Sequence, residues 1–236
     1  MLATYLKLAA CKAAATIPGP HQEKFETRYL WAQRTIRARS STDDFATELA
    51  RLGADSVCID LGANIGSVTA VLARHAGHVH AFEPEPWAFE QLEKNTRDLP
   101  NVTLHKAAAG TSDGVVQFHL DPDFDKKPEI HSQGTSMYSS LLWDDTKEAP
   151  TFEARIVDFR RFIRELCRRV SLVKIDIEGA EVDLLEALVG TPEWDMIDAV
   201  FVETHECQIK ELRERTARLR NSLKGVSKPR VYLDWH

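Results

Sequence analysis

Apolar and polar positions alternate in a regular way from Ser56 onward. Val57-Cys58-Ile59-Asp60-Leu61 is an almost unbroken apolar run, the pattern of a strand covered on both faces. The spacing predicts a helix over 65–75, a strand over 78–82, a helix over 87–98 closed by Leu99-Pro100-Asn101, and a strand over 102–106. Another strand is predicted over 115–120, after the Ser112-Asp113-Gly114 turn. Residues 121–152 form one long irregular stretch, a length that compact domains reserve for functional loops. The alternation then resumes: helices over 159–169, 179–189 and 208–223, strands over 171–176, 197–203 and 230–234. Strands that alternate with helices of about ten residues predict an α/β fold, a doubly wound, mostly parallel sheet with helices on both faces.

The region before Ser56 reads differently. Residues 1–52 are expected to be a helical lead-in to a domain over 53–236. Residues 1–15 are apolar and alanine-rich, and Ile17-Pro18-Gly19-Pro20 breaks them. Lys7 and Lys12 interrupt that run, whereas a secretory signal places its charge first. A short helix packed on the domain, or on a second copy in a homo-oligomer, is the expectation. Residues 21–39 read as helix or irregular lead-in. Ser41-Thr42-Asp43-Asp44 then looks like a helix N-terminus, with Phe45, Leu49 and Leu52 on one face.

Composition narrows the class. The 236 residues are 43% hydrophobic and 28% charged, which is ordinary globular usage and excludes collagen-like or wholly disordered chains. No apolar run is long enough for a transmembrane helix. A formal net charge of −6 argues against a general nucleic-acid partner. Cys11, Cys58, Cys167 and Cys207 form no C-x-x-C and no zinc spacing, so a reduced, cytoplasmic protein is expected. Five arginines in 160–169 and eight Lys/Arg in 210–230 read as solvated helix faces, or as a docking surface for an acidic glycolipid or carrier.

Three motifs carry candidate chemistry. Asp60-Leu61-Gly62-Ala63-Asn64-Ile65-Gly66 lies where a buried strand turns into a helix, the place where open α/β sheets bind ligands. A dinucleotide loop has glycine where Asn64 stands, because a side chain there crowds a diphosphate. A nucleoside without phosphates fits better. In Ala81-Phe82-Glu83-Pro84, Glu83 ends the next strand, placed to take a ribose diol. In Val173-Lys174-Ile175-Asp176-Ile177-Glu178-Gly179-Ala180-Glu181, Asp176 and Glu178 reach the same edge. With Glu203 and His205 from the next strand they can hold a general base or a divalent cation. Helix-start acids that complement the macrodipole are the plainer account of Asp176 and Glu178.

Together these segments resemble the FkbM-type branch of the class I S-adenosylmethionine-dependent methyltransferases, from about Ser56 to His205. Ala107-Ala108-Ala109-Gly110, Asp113-Gly114 and Gly134-Thr135-Ser136 are similar too. The resemblance implies a seven-stranded Rossmann-like sheet, here with a short last edge. It implies that Asp60, Gly62, Ala63, Asn64, Gly66 and Ser67 hold the amino-acid end of S-adenosylmethionine. Glu83 with Pro84 would then bind the ribose, and Ala108 with its neighbours the adenine. It implies methyl transfer to a hydroxyl of a sugar, glycolipid or secondary metabolite.

Such a reaction needs the acceptor oxygen aligned and a base within hydrogen-bond reach. His205 and Asp176 are the candidate bases, with Glu178 orienting base or substrate. A divalent cation on the same carboxylates is left open. His131, Tyr138 and Trp143 lie in the long stretch and can close over a substrate, and Trp87 can reach adenine. Two rivals remain: an NAD-dependent oxidoreductase, which Asn64 argues against, and a non-catalytic nucleoside-binding module.

Overall fold

The computed structural model describes Lys12 and residues 22–132, 135–137 and 149–235. Nine strands occur among them: β1 (Val57–Leu61), β2 (His78–Phe82), β3 (Val102–His105), β4 (Ala108–Gly110), β5 (Gly114–His119), β6 (Thr151–Asp158), β7 (Leu172–Ile175), β8 (Ala199–Val202) and β9 (Arg230–Tyr232). The α-helices are α1 (Gln22–Leu49), α2 (Ser67–His75), α3 (Pro86–Thr96), α4 (Pro128–His131), α5 (Phe159–Glu165), α6 (Glu181–Leu188) and α7 (Arg213–Ser222). None is long and apolar enough to cross a membrane.

The main sheet runs β3-β2-β1-β7-β8-β9, and every neighbouring pair is parallel. Successive residues of each strand feed opposite faces. Ile59, Leu61, Val173, Ile175, Val200 and Val202 pack under α5, α6 and α7. Cys58, Val79, Leu172 and Phe201 pack under α2, with Phe45 and Leu49 of α1 against them. This is the class I Rossmann-like arrangement. The chain proceeds outward from β1 to β3, then crosses back to β7 beside β1. That reversal opens a crevice at the carboxyl ends of β1 and β7.

Several expectations are corrected. The main sheet has six strands among the described residues, not seven. No helix starts at Ser41: α1 runs through it, with Ser41 buried and Thr47 Oγ1 donating to the Asp43 carbonyl one turn back. The acids sit mid-helix because packing of Phe45 and Leu49 extends the helix past a local start signal. The stretch 121–152 is not wholly irregular either, since it ends in β6. That strand pairs antiparallel with β5 and parallel with β4 as a separate three-stranded sheet. Thr151-Phe152-Glu153-Ala154-Arg155-Ile156 alternates outward and inward, and Phe152, Ala154 and Ile156 share a small core with Ala108 and Phe118. The helix expected over 1–15, apart from Lys12, and the loop residues Gly134, Tyr138 and Trp143 lie outside the described residues.

Most arginines of the two basic segments are paired with acids. Arg160 and Arg164 pair with Glu193, Arg161 with Asp113, and Arg169 with Asp198. Arg215 pairs with Asp183 and Glu186, Arg220 with Glu206 and Asp234, and Arg230 with Glu48.

Candidate active site

Two turns meet in the crevice. After β1 the chain enters Gly62 at φ +73°, and a Cβ there would lie 1.7 Å from the Asp176 carbonyl oxygen. Gly62 is therefore glycine because the β7 turn presses against it, not only because a ligand approaches. The Gly62 and Ala63 amides both donate to Phe82 O, which ties the turn to β2. Asn64 sits at φ +49° and Glu178, in the turn after β7, at φ +52°. Left-handed backbone at a residue other than glycine costs about 1–2 kcal/mol and gathers at functional sites. Asn64 and Glu178 flank one crevice, each at the end of a turn that lines it.

Glu83 closes β2 and is almost wholly buried. Its Oε2 accepts from the Asn64 amide and its Oε1 from the Glu85 amide, each at 2.8 Å. Burial raises its pKa to about 7, against the opposing pull of those two amides. The carboxylate edges a small inner cavity, walled by Phe82, Ala107, Ala108, Ala109 and Phe118 and capped by Thr135 and Met137. The small β4-β6-β5 sheet thus supplies one wall. Ser136 Oγ donates to the Glu178 carbonyl at 2.5 Å and fixes the cap to the second turn.

A larger, more open outer cavity lies beyond, between Ala63, Asn64 and Ser67 on one side and Lys174, Glu203 and Trp235 on the other. Gly62, Asp176 and Glu178 line both cavities. Lys174 is buried, and its Nζ donates to Gly62 O at 2.7 Å while lying 3.3 Å from Asp60 and 3.5 Å from Asp176. Burial alone would lower its pKa, but Asp60 and Asp176 outweigh burial and hold it above the usual lysine value.

His205 is clamped. Its Nδ1 lies 2.9 Å from Glu181 and its Nε2 3.2 Å from Glu178 and 3.9 Å from Asp176. Burial opposes the charged ring, yet Glu181 and Glu178 prevail and lift the pKa well above the ordinary value. Glu178 is itself raised by burial, with His205 pulling the other way. Glu181, fully buried, accepts from the Ile177 and Gly179 amides, so the carboxylate that lies against the His205 ring also fixes the turn. Asp176, Glu178 and His205 offer ligand atoms within 4.8 Å of one another, a spacing that suits a divalent cation.

The crevice collects most of the residues singled out from sequence. Glu83, Pro84 and Ala108 line the inner cavity, and Ala63, Asn64 and Ser67 the outer one. Asp60 and Gly66 line neither. Asp60 is fully buried between Thr69, which donates to it at 2.7 Å, and Lys174; Gly66 packs against Leu92 and Thr96 of α3. Glu203 leaves the His205 cluster and pairs with Arg34 of α1. His131 pairs with Asp121, and Trp87 packs edge-on against Phe124. Sequence reasoning missed Lys174, Glu181, Trp235 and Arg34. Lys174 and Glu181 stand inside the third motif, where a lysine in a buried strand is itself a signal.

The chain is similar to known proteins across this region. It is 31% identical over 162 residues to "Methyltransferase 1" of Beauveria bassiana, covering 63% of this chain and 64% of that one. It is 24% identical over 178 residues to "Hexuronic acid methyltransferase AglP" of Haloferax volcanii, covering 75% of this chain and 66% of that one. The chain thus spans just under two thirds of the length of these two relatives. Among solved structures, the 23S rRNA methyltransferase ErmE aligns at 15% identity and a TM-score of 0.39, over 75% of this chain and 50% of that one. The family profile described as "Methyltransferase FkbM domain" matches residues 60–226, the span that holds both turns and every strand from β2 to β8, and the chain belongs to that family.

Proposed function

We propose that the protein is an S-adenosylmethionine-dependent O-methyltransferase that acts on a hydroxyl of a sugar, glycolipid or secondary metabolite. The observation that carries this reading is the meeting of the two cavities at Gly62, Asp176 and Glu178. An apolar inner space edged by a buried carboxylate suits an adenosine. An acid-lined outer space suits a hydroxylated acceptor. Thr135 Oγ1 is buried in the inner wall with no hydrogen-bond partner among the described residues, as expected of a group that meets a polar ligand. When bound, S-adenosylmethionine supplies a methyl group already activated on a sulfonium.

The chain's own residues then do the rest. Glu83 has lone pairs left over after its two amide bonds and takes the ribose diol. Asp176, at the junction, faces the acceptor hydroxyl and accepts its proton. Glu178 orients the acceptor, held in place by His205. His205 lies between Glu181 and Glu178, and those carboxylates favour its charged form, so it positions acids and does not serve as the free base. Thr135 to Met137 exclude water from the inner cavity. Free thiols at Cys58, Cys167 and Cys207 support a reducing, cytoplasmic setting.

Calorimetry with S-adenosylhomocysteine against NAD tests the cofactor. Binding of the former and not the latter is expected; the reverse overturns the reading. Tritium transfer from methyl-labelled S-adenosylmethionine to hydroxylated acceptors, abolished in Asp176→Asn, tests the chemistry; persistent failure to transfer leaves a binding module instead. A cation at Asp176, Glu178 and His205 is the second reading, favoured by their spacing. Loss of turnover on dialysis against EDTA, restored by Mg²⁺, would select it.

A further inference from the structure

A second buried acid, Glu85, stands beside Glu83. It follows β2 in Glu83-Pro84-Glu85-Pro86 and caps the N-terminus of α3. It lines neither cavity, yet only 3% of it is exposed. Its Oε1 accepts from the Trp87 amide at 2.9 Å and its Oε2 from the Ala88 amide at 2.6 Å. Its own amide donates to Glu83 Oε1 at 2.8 Å. Pro84 and Pro86 carry no N–H, so Glu85 supplies the one backbone donor between Glu83 and Trp87. Pro86 also pre-sets the first turn of α3, so that donor stands on a stiff segment.

Capping alone does not ask for this residue. Serine and threonine cap helices well and carry no charge. A buried charge is costly unless it is well partnered, and here two helix amides and the positive end of α3 hold it. The charge also reaches Glu83. Burial raises the Glu83 pKa to about 7; the Glu85 and Asn64 amides pull it down, the Glu85 carboxylate pushes it up, and Lys174 pulls it down. Glu85 thus acts on its neighbour in two ways. Its amide fixes the Glu83 carboxylate, and its side chain opposes a second negative charge in the same corner. Substitution by any residue but proline keeps the amide, whereas only an acid keeps the charge, so the two effects can be separated.

We propose that Glu85 is a positioning residue for the cofactor: its amide aims the Glu83 carboxylate at the ribose diol, and its side-chain charge sets the pH above which that carboxylate takes hold of the ligand. This inference rests on Glu83 being the ribose ligand.

Calorimetry with S-adenosylhomocysteine on the full chain, from about pH 5.5 to about pH 8.5, is the measurement. Glu83→Gln comes first: if it binds as wild type does at every pH, the ribose assignment fails, and this inference fails with it. Glu85→Gln removes the charge and keeps the amide. Its rise in affinity should move to lower pH, so that at about pH 6 it binds roughly twofold to threefold more tightly than wild type. At about pH 8, where Glu83 is mostly ionised in both proteins, the affinities should agree within about twofold. Glu85→Asp keeps the charge and should restore the wild-type profile. A residue that only caps α3 would act with the other sign: its loss would weaken binding by one factor at every pH. Such a uniform loss, or a profile that does not move, overturns the proposal. Should Glu85→Gln fail to fold, Glu85→Ser, a good cap without charge, should show the same shift to lower pH.

Discussion

The inner and outer cavities share three residues but are built by different means. The carboxylate edge of the inner one is made by chain-local turns. Glu83 reaches an amide 19 positions back and another two ahead, and the Ala107–Ala109 wall follows β3 directly. The outer one is made by partners distant in sequence: Arg34 to Glu203 spans 169 positions, and Glu48 of the same helix reaches Arg230 and Tyr232 across 182 and 184. A site assembled by turns is fixed by short motifs and suits a ligand that does not vary. A site assembled by flanking elements can change with them while the turns stay as they are.

The sharpest way to break the contrast is at Gly62, where both cavities begin. Gly62→Ala asks a Cβ to occupy the place of the Asp176 carbonyl at a positive φ. No flexible side chain can yield, so one of the two turns must move. A loss of about 5 kcal/mol or outright failure to fold is expected by urea denaturation. Normal stability in the Gly62→Ala protein would mean the two turns are not braced against each other.

His205 comes next. Removing one member of a buried ion pair costs about 3–5 kcal/mol, so His205→Gln should lower unfolding free energy by that order. The sign with pH follows from its raised pKa. The stabilisation is fully present below the unfolded value near 6.5 and is lost as pH rises through the higher folded value. Wild-type protein should therefore lose stability on the alkaline side more steeply than His205→Gln. Parallel pH profiles would show that the ring is neutral in the folded state.

These two positions also show what the sequence made legible. The strand–turn–helix order and the placement of Glu83 and Asp176 were readable because each depends on neighbours a few residues away. Strand β2 was located residue for residue at His78–Phe82, since its alternation and bounding turns are local. Asp60 reads as a ligand-facing acid and turns out to be the buried partner of Lys174, because which charge it meets depends on the β1–β7 pairing. Likewise β6 has an alternating pattern that gains meaning only beside β5. Arg34 looks like one of many basic residues in a helix until the fold brings it to Glu203.

Glu83 separates folding from binding. Its folded pKa of about 7 lies above the ordinary value of 4.5, so burial favours the protonated form. The apoprotein is accordingly most stable, as far as this group goes, below pH 4.5 and loses that contribution as pH rises through 7. The diol prefers the ionised form, so S-adenosylhomocysteine should bind more tightly as pH rises from about 6 to about 8. Glu83→Gln should weaken that ligand by about 1.5–3 kcal/mol, roughly 10–100-fold, and flatten its pH dependence. Calorimetry across that range reads both, and an unchanged affinity would remove Glu83 from the ribose site.

The smallest expected effect is at Thr135, and its value lies in its two opposite signs. The hydroxyl is buried in the inner wall with no hydrogen-bond partner among the described residues, a state that costs the folded chain part of the desolvation of that group. Valine has nearly the same shape without the hydroxyl. Thr135→Val should therefore leave the apoprotein as stable or slightly more so, by up to about 1 kcal/mol. If the hydroxyl meets the ligand, the same change should weaken S-adenosylhomocysteine by a similar amount, roughly threefold to fivefold. Thermal melts with and without ligand measure the two together: the apo midpoint holds or rises, and the ligand-induced shift shrinks. A lower apo midpoint with an undiminished shift would mean that Thr135 serves the cap alone, and the boundary of the inner cavity would then run inside it.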